Sequence, residues 1–193
     1  MRYPAHHKQK QRERIVHSAS RHFRRGGRQV AIANLMGKLN LTHGGFYRHF
    51  ASKEELFAEA VAHGLEEIRA KLGGAAARQP GQELKAVIES YLSLEHCADP
   101  AAGCPLAALG PEIARQPRSL RARIDRAMRD HFKKVAKLLP GATESERERN
   151  TLVLFSGMAG ALSMARSVAD ADLRQSILEG AREFYIKTFC PQP

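Results

Sequence analysis

Apolar residues along this chain recur at helical spacing, and strand signals are scarce. Between Lys8 and Arg24, Ile15, Val16, Ala19 and Phe23 share one face at i, i+1, i+4 and i+8, with basic residues on the outer face. Gly26 and Gly27 stop that helix. Ile32, Leu35, Met36 and Leu39 mark a second, short helix. Asn40-Leu41 form a turn, and Thr42 to Phe50 form a third helix. Ser52-Lys53-Glu54-Glu55 is a capping box: the serine hydroxyl accepts from the backbone three residues on, and Glu55 reaches back. It opens a fourth helix carrying Leu56, Phe57, Val61, Leu65, Ile68 and Leu72 on its apolar face, ended by Gly73 and Gly74.

Residues 73–81, GGAAARQPG, read as a loop or hinge. Beyond it, Leu84, Val87, Ile88, Tyr91 and Leu92 predict one helix. Leu106 to Ile113 predict a short one interrupted by Gly110-Pro111. Leu120, Ile124, Met128, Phe132, Val135 and Leu139 predict a long one, closed by Pro140-Gly141. Thr143 and Glu146 form another capping box, ahead of a helix running to about Val168. Asp170 or Asp172 caps a last helix with Leu173, Ile177, Ala181, Phe184 and Thr188 on one face. The expected fold is all-α, about nine helices. It divides into a flexible basic arm (1–9), an N-terminal helix-turn-helix module (10–72), and a larger helical body (73–193).

Charge sharpens this picture. Residues 1–50 hold eleven Lys and Arg against one acid, Glu13, a net +10; the other 143 residues of the chain balance 20 basic against 19 acidic. Basic residues added for solubility alone would not be split this way, whereas a polyanion-binding segment joined to a near-neutral body would. The three cysteines, Cys97, Cys104 and Cys190, are an odd number without a secretory leader, which points to a reducing cytoplasm and away from a disulfide scaffold. The longest uncharged apolar run, Leu152–Ala165, is too short to cross a bilayer core of about 30 Å, so no membrane is expected.

The segment Thr42-His43-Gly44-Gly45-Phe46-Tyr47-Arg48-His49-Phe50 carries the chemistry. Phe46 and Phe50, at i and i+4, anchor it to the bundle. Thr42 and His43 begin it and can donate to phosphates or base edges, as the second helix of a helix-turn-helix does in the major groove. Gly44 and Gly45 each cost a helix about 1 kcal/mol relative to Ala; their missing side chains would let the backbone approach DNA closely. Tyr47, His49 and Lys53, with Arg28, suit phosphate oxygens, which set register without reading sequence. Lys53 also sits in a first helical turn, where unpaired N–H groups bind anions.

LTHGGFYRHFASKEEL resembles the recognition helix and the start of the fourth helix of the TetR family of bacterial repressors, and the resemblance is specific over residues 10–65. It implies a homodimer that occupies an operator and releases it when a small-molecule inducer binds the C-terminal domain. It places Thr42, Gly44 and Gly45 toward bases and Tyr47, His49 and Lys53 toward phosphates. Two positions depart from the family pattern. Ala31 stands where a Ser or Thr often caps the second helix, weakening that cap by about 1 kcal/mol. Asn40 fills a turn position usually held by Gly, and is the next-best residue for a left-handed conformation.

In the body, Gly157, Ala161 and Ala165 lie four apart on a stripe that suits close helix packing, within one subunit or across an intermolecular four-helix bundle. The resemblance favours the latter, a homodimer through the last two helices. Tyr91, Leu92, Met128, Phe132, Phe155 and Met158 are the candidate effector-pocket residues, although such residues at helical spacing also make ordinary core. Cys104, in Gly103-Cys104-Pro105, falls at a helix start that would favour a thiolate, so an alternative reading is a redox- or electrophile-sensing repressor. His96, Cys97 and Cys104 lack the close pairs of a zinc site, and neither metal nor cofactor is expected. Enzymatic signatures (a serine elbow, a phosphate-cradling glycine loop, paired carboxylates in a distinctive setting) are missing. The remaining rival is a non-specific architectural DNA-binding protein, and residues alone leave activation open beside repression.

Overall fold

The face of Ile15, Val16, Ala19 and Phe23 is buried in a helix, α1 (Ala5–Gly26), of the computed structural model, which describes residues 5–190. The helix begins at Ala5, so residues 5–9 extend α1 instead of forming the expected arm; Met1–Pro4 lie outside the described residues. Gly27, at φ 65°, ends it through a 3-10 turn. There follow α2 (Ile32–Lys38), α3 (His43–Phe46) and α4 (Lys53–Ala77). The body comprises α5 (Glu83–Tyr91), α6 (Leu94–Ala98), α7 (Pro105–Ala114), α8 (Arg118–Ala136), α9 (Glu144–Ser167) and α10 (Ala171–Phe189). Among the described residues there is no strand, and no helix is long and apolar enough to cross a membrane.

The polar ends of these helices follow their sequences closely. Ser52 accepts from the Glu55 N–H, Asp170 from Asp172 and Leu173, and Thr143 and Glu146 form a reciprocal capping box. Ala31 leaves α2 without a side-chain cap. Asn40 takes φ 56°, and the Leu41 and Asn40 N–H groups bond back to the Met36 and Gly37 carbonyls at 2.9 and 3.0 Å. That pair of bonds closes the C-terminus of α2 on a left-handed residue.

Two expected breaks are absent, each for a physical reason. Helix α4 runs through Gly73 and Gly74, and the hinge begins only at Arg78. Each glycine costs about 1 kcal/mol in a helix. Burial of Leu72 and Ala76 in the body core, together with three consecutive alanines, offsets that cost. Helix α7 runs through Gly110-Pro111. Proline has no N–H to bond the carbonyl four residues back, that of Ala107. The Ser163 hydroxyl of α9 reaches across and donates to it at 2.6 Å.

Two cores result, and three helices, α4, α7 and α8, belong to both. Leu56, Phe57 and Val61 of α4, with Leu120 and Ile124 of α8, pack with α1, α2 and α3. Ile68, Leu72 and Ala76 of α4 and Val135 of α8 pack in the body with α5, α9 and α10. The stripe of small residues on α9 serves the interior of one subunit. A side chain at Gly157 would collide with the Tyr185 ring of α10, Ala165 is fully buried, and Ala161 packs on the same core.

Replacing Ser163 with Ala should destabilise the chain by about 1–3 kcal/mol, because it leaves a buried carbonyl unpaired. The loss should shrink in a Pro111→Ala background, where a backbone N–H takes over; urea unfolding of the two single variants and the double variant measures this coupling. Equal losses in both backgrounds would refute the compensating role of Ser163.

Candidate nucleic-acid interface

The first helix after the turn is shorter than its sequence pattern predicts. Regular α-helix spans only His43–Phe46, and Tyr47 to His49 continue as a turn, with Arg48 and His49 N–H groups bonding to the Gly45 and Phe46 carbonyls at 3.3 and 2.9 Å. Two adjacent glycines weaken propagation, so packing at both ends holds the segment. Phe46 and Phe50 are buried and stacked, with ring centroids 5.5 Å apart. The Arg12 guanidinium sits 4.5 Å over the Phe50 ring. With the apolar side pinned, Thr42, His43, Gly44, Tyr47 and Arg48 are all exposed on the other side. Tyr47 is 62 % exposed, an unusual setting for a large aromatic ring.

The two glycines differ in role. A Cβ on Gly44 would meet nothing within 4 Å, so its absence leaves an open surface. A Cβ on Gly45 would press on Thr42 Oγ1 at 3.3 Å, the atom that accepts from the Gly45 N–H as the cap of α3. Thr42 Oγ1 therefore accepts one bond as the cap, and its O–H remains to donate outward.

Among the expected phosphate contacts, Tyr47 is open to solvent, Lys53 and Arg28 sit together, and His49 is turned inward. Partial burial and the neighbouring Arg28 lower the Lys53 pKa, against a smaller opposing effect of Glu54. An anion placed there would relieve the mutual repulsion of the two cations. Arg28 also pairs with Glu54. His49 is held to Gln11 of α1 through Nε2 at 3.2 Å, and its Nδ1 is enclosed without a partner. Burial first, then Lys8, Arg12 and Arg48, lower its pKa. Both effects favour the neutral ring, which braces α1 against the recognition turn.

Net charge overstates what this face offers. Arg12 pairs with Glu59 and Glu55, the buried Arg24 with Glu67, and Arg21 and Arg25 lie 3.8 Å from Asp99. Lys8, Lys10, Arg14, Lys38 and Arg48 are exposed. Arg48 lies within the recognition turn itself and was not among the expected contacts; its place directly after Tyr47 was the available signal.

The body residues are brought together incompletely. Tyr91, Leu92, Phe155 and Met158 are buried in one core, and the Phe132 ring lies 6.1 Å from Phe155. Met128 is not with them: it packs on the DNA-binding side, because α8 crosses from one core to the other between Met128 and Phe132. A cleft of about 1200 Å³ opens elsewhere, lined by residues that include Leu84, Lys85, Lys137, Leu139, Phe189 and Cys190, and by none of the six. Cys104 occupies the position before Pro105 at the start of α7 but is only 3 % exposed. Gly103 before it is not a flexible spacer; a Cβ there would lie 2.6 Å from Arg166 Nη2 and 2.8 Å from His96 Nε2.

An N-terminal helix-turn-helix with an exposed recognition turn, joined to a helical body, defines a DNA-binding regulator. Comparison with known proteins agrees. Residues 15–60 match the sequence model of the bacterial regulatory proteins of the tetR family. Among solved structures, a TetR transcriptional regulator from Chloroflexus aurantiacus superposes with TM-score 0.72 at 23% identity, over 94% of this chain and 96% of that one. A TetR-family regulator from Cytophaga hutchinsonii gives 0.72 at 19% identity, over 97% and 98%. The reduced form of NemR from E. coli gives 0.70 at 17% identity, over 92% and 96%. Among curated protein sequences none matches. Residues 15–60 are thus similar to the DNA-binding module of the tetR family, and the chain has the fold of that family's transcriptional regulators.

Lys53→Ala should weaken binding to every duplex and flatten the dependence of log affinity on log salt by about one unit. Titrations of a mixed-sequence duplex across a salt series measure the slope, and an unchanged slope removes Lys53 as a phosphate contact. Gly44→Leu should erase discrimination between a selected duplex and random DNA while leaving the circular dichroism spectrum unaltered. Retained discrimination would contradict close approach at Gly44.

Proposed function

We propose that the protein is a ligand-responsive transcriptional repressor that binds a palindromic operator as a homodimer and leaves it when a small-molecule inducer enters the body. The observation that carries this reading is the recognition turn. A four-residue helix of poor intrinsic stability is held by two buried phenylalanines, so that Thr42, His43, Gly44, Tyr47 and Arg48 face outward together. Base edges would meet Thr42, His43 and Gly44; phosphates would meet Tyr47, Arg48, Lys53 and Arg28. Such a protein works in the cytoplasm, beside the chromosome.

The outer face of the last two helices supports dimerisation. Val153, Gly160 and Met164 of α9, and Leu173, Gly180 and Phe184 of α10, are all exposed, with Met164 and Phe184 at 62% and 63%. Exposed apolar residues gathered on one face mark an interaction surface. One module makes few contacts, and two modules spaced by about 34–36 Å reach successive major grooves. For the inducer, the support is chemical. Tyr91 Oη, beside the Cys104 thiol, and His131 Nδ1 are buried without a well-formed hydrogen bond, and both rings lie against Phe155, at 5.9 and 5.7 Å. Polar groups left unpaired in a core cost about 1–3 kcal/mol each. A polar ligand that displaced Phe155 would satisfy both.

Selection of bound duplexes from a random pool should return an inverted repeat with half-sites about one helical turn apart. The Phe184→Asp chain should sediment as a monomer and lose most affinity for that duplex. A pool that yields no enriched sequence supports the architectural reading and overturns this one.

A further inference from the structure

We propose that His17, His63 and Glu67 form a divalent-cation site of the zinc class that ties α1 to α4. The two imidazoles converge on one atom. His17 Nε2 lies 3.3 Å and His63 Nε2 3.4 Å from the same carboxylate oxygen, Glu67 Oε1. All three donor atoms lie within 4.8 Å of one another. A hydrogen bond between imidazolium and carboxylate closes to about 2.7–2.9 Å, and neither contact does so. His63 Nε2 is enclosed and makes no hydrogen bond. Separations of 3.3 and 3.4 Å are instead those between neighbouring corners of a tetrahedron around an ion with bonds of about 2.0–2.1 Å.

The surroundings fix this geometry. His63 and Glu67 stand one turn apart on α4, so both project from one face. His17 faces them from α1, its ring edge-on to that of His63 with centroids 5.6 Å apart. The second oxygen of Glu67 is gripped by Nη2 of Arg24. That guanidinium is fully buried and is itself held by donating to the Gly103 and Ser20 carbonyls at 2.7 and 3.1 Å. An outer partner that orients a ligating carboxylate is a recurrent part of metal sites. Two imidazoles and one carboxylate suit zinc and its neighbours in the first transition row better than calcium or magnesium. The exposed side of His17 leaves a fourth position to water. Arg24 offsets the charge of Glu67, so affinity rests mainly on the imidazoles. Bound there, the ion would clamp the first helix of the DNA-binding module to the long helix shared with the body.

The test is calorimetric titration of Zn2+ into the full chain without an affinity tag, paired with visible absorption on addition of Co2+. One ion per chain is expected, with a tetrahedral Co2+ spectrum free of thiolate charge transfer. His17→Gln and His63→Gln should each weaken binding by about tenfold or more, and Zn2+ should raise the unfolding temperature of the parent but not of the variants. His17 is exposed and His63 half-buried, both substitutions keep the Arg24–Glu67 pair, and thermal unfolding without metal confirms that each variant folds. Equal binding by parent and variants places the ion at His6-His7 or another set of ligands and overturns the proposal. So does a thiolate band, or the absence of stoichiometric binding.

Discussion

The stacked pair Phe46–Phe50 is the constraint on which the DNA-facing surface depends. The segment they anchor has two consecutive glycines and a single turn of regular helix, too little to persist alone in water. Its shape comes from burial of these rings beneath α1 and α4, from the Thr42 cap at its start and from Arg12 over Phe50 at its end. A weak helix held by strong anchors can do without side chains on its outer side. That is how Gly44 becomes an open spot at the centre of an exposed patch without the turn losing its shape.

The same economy links the module to the body. Helices α4 and α8 each bury one end in the DNA-binding core and the other in the body core. Packing in the body and packing beneath the recognition turn are thereby joined through continuous helices. Charge reinforces the joint: Arg24, wholly buried in α1, bonds to Glu67 of α4 and to the Gly103 carbonyl that precedes α7. Residues that inflate the positive charge of the N-terminal segment thus hold the module to its support, and the exposed cations left over are fewer.

Local chemistry was legible from the residues alone. The caps at Ser52, Thr143 and Asp170, the left-handed Asn40 and the buried face of α1 stand where their sequence patterns put them. What was not legible depends on partners distant in sequence. Pro111 reads as a break until Ser163 is seen to satisfy the carbonyl it frees, that of Ala107, fifty-six positions from the serine in the chain. Gly73 and Gly74 read as a stop until the burial beyond them is counted. Gly157 reads equally as an intersubunit or an intrasubunit contact until Tyr185 fills the space beside it. Met128 and Phe132 share one helical stripe but serve different cores. The cluster of His17, His63 and Glu67 joins two helices; only the one-turn spacing of His63 and Glu67 lay open in the sequence.

Amide hydrogen exchange of the full chain, with and without the duplex selected from a random pool, tests most directly whether the recognition turn meets DNA. Protection concentrated at Thr42–Arg48 and at the first turn of α4 is the predicted result. Protection on another face, with Thr42–Arg48 exchanging as freely as in the unbound protein, would contradict the account.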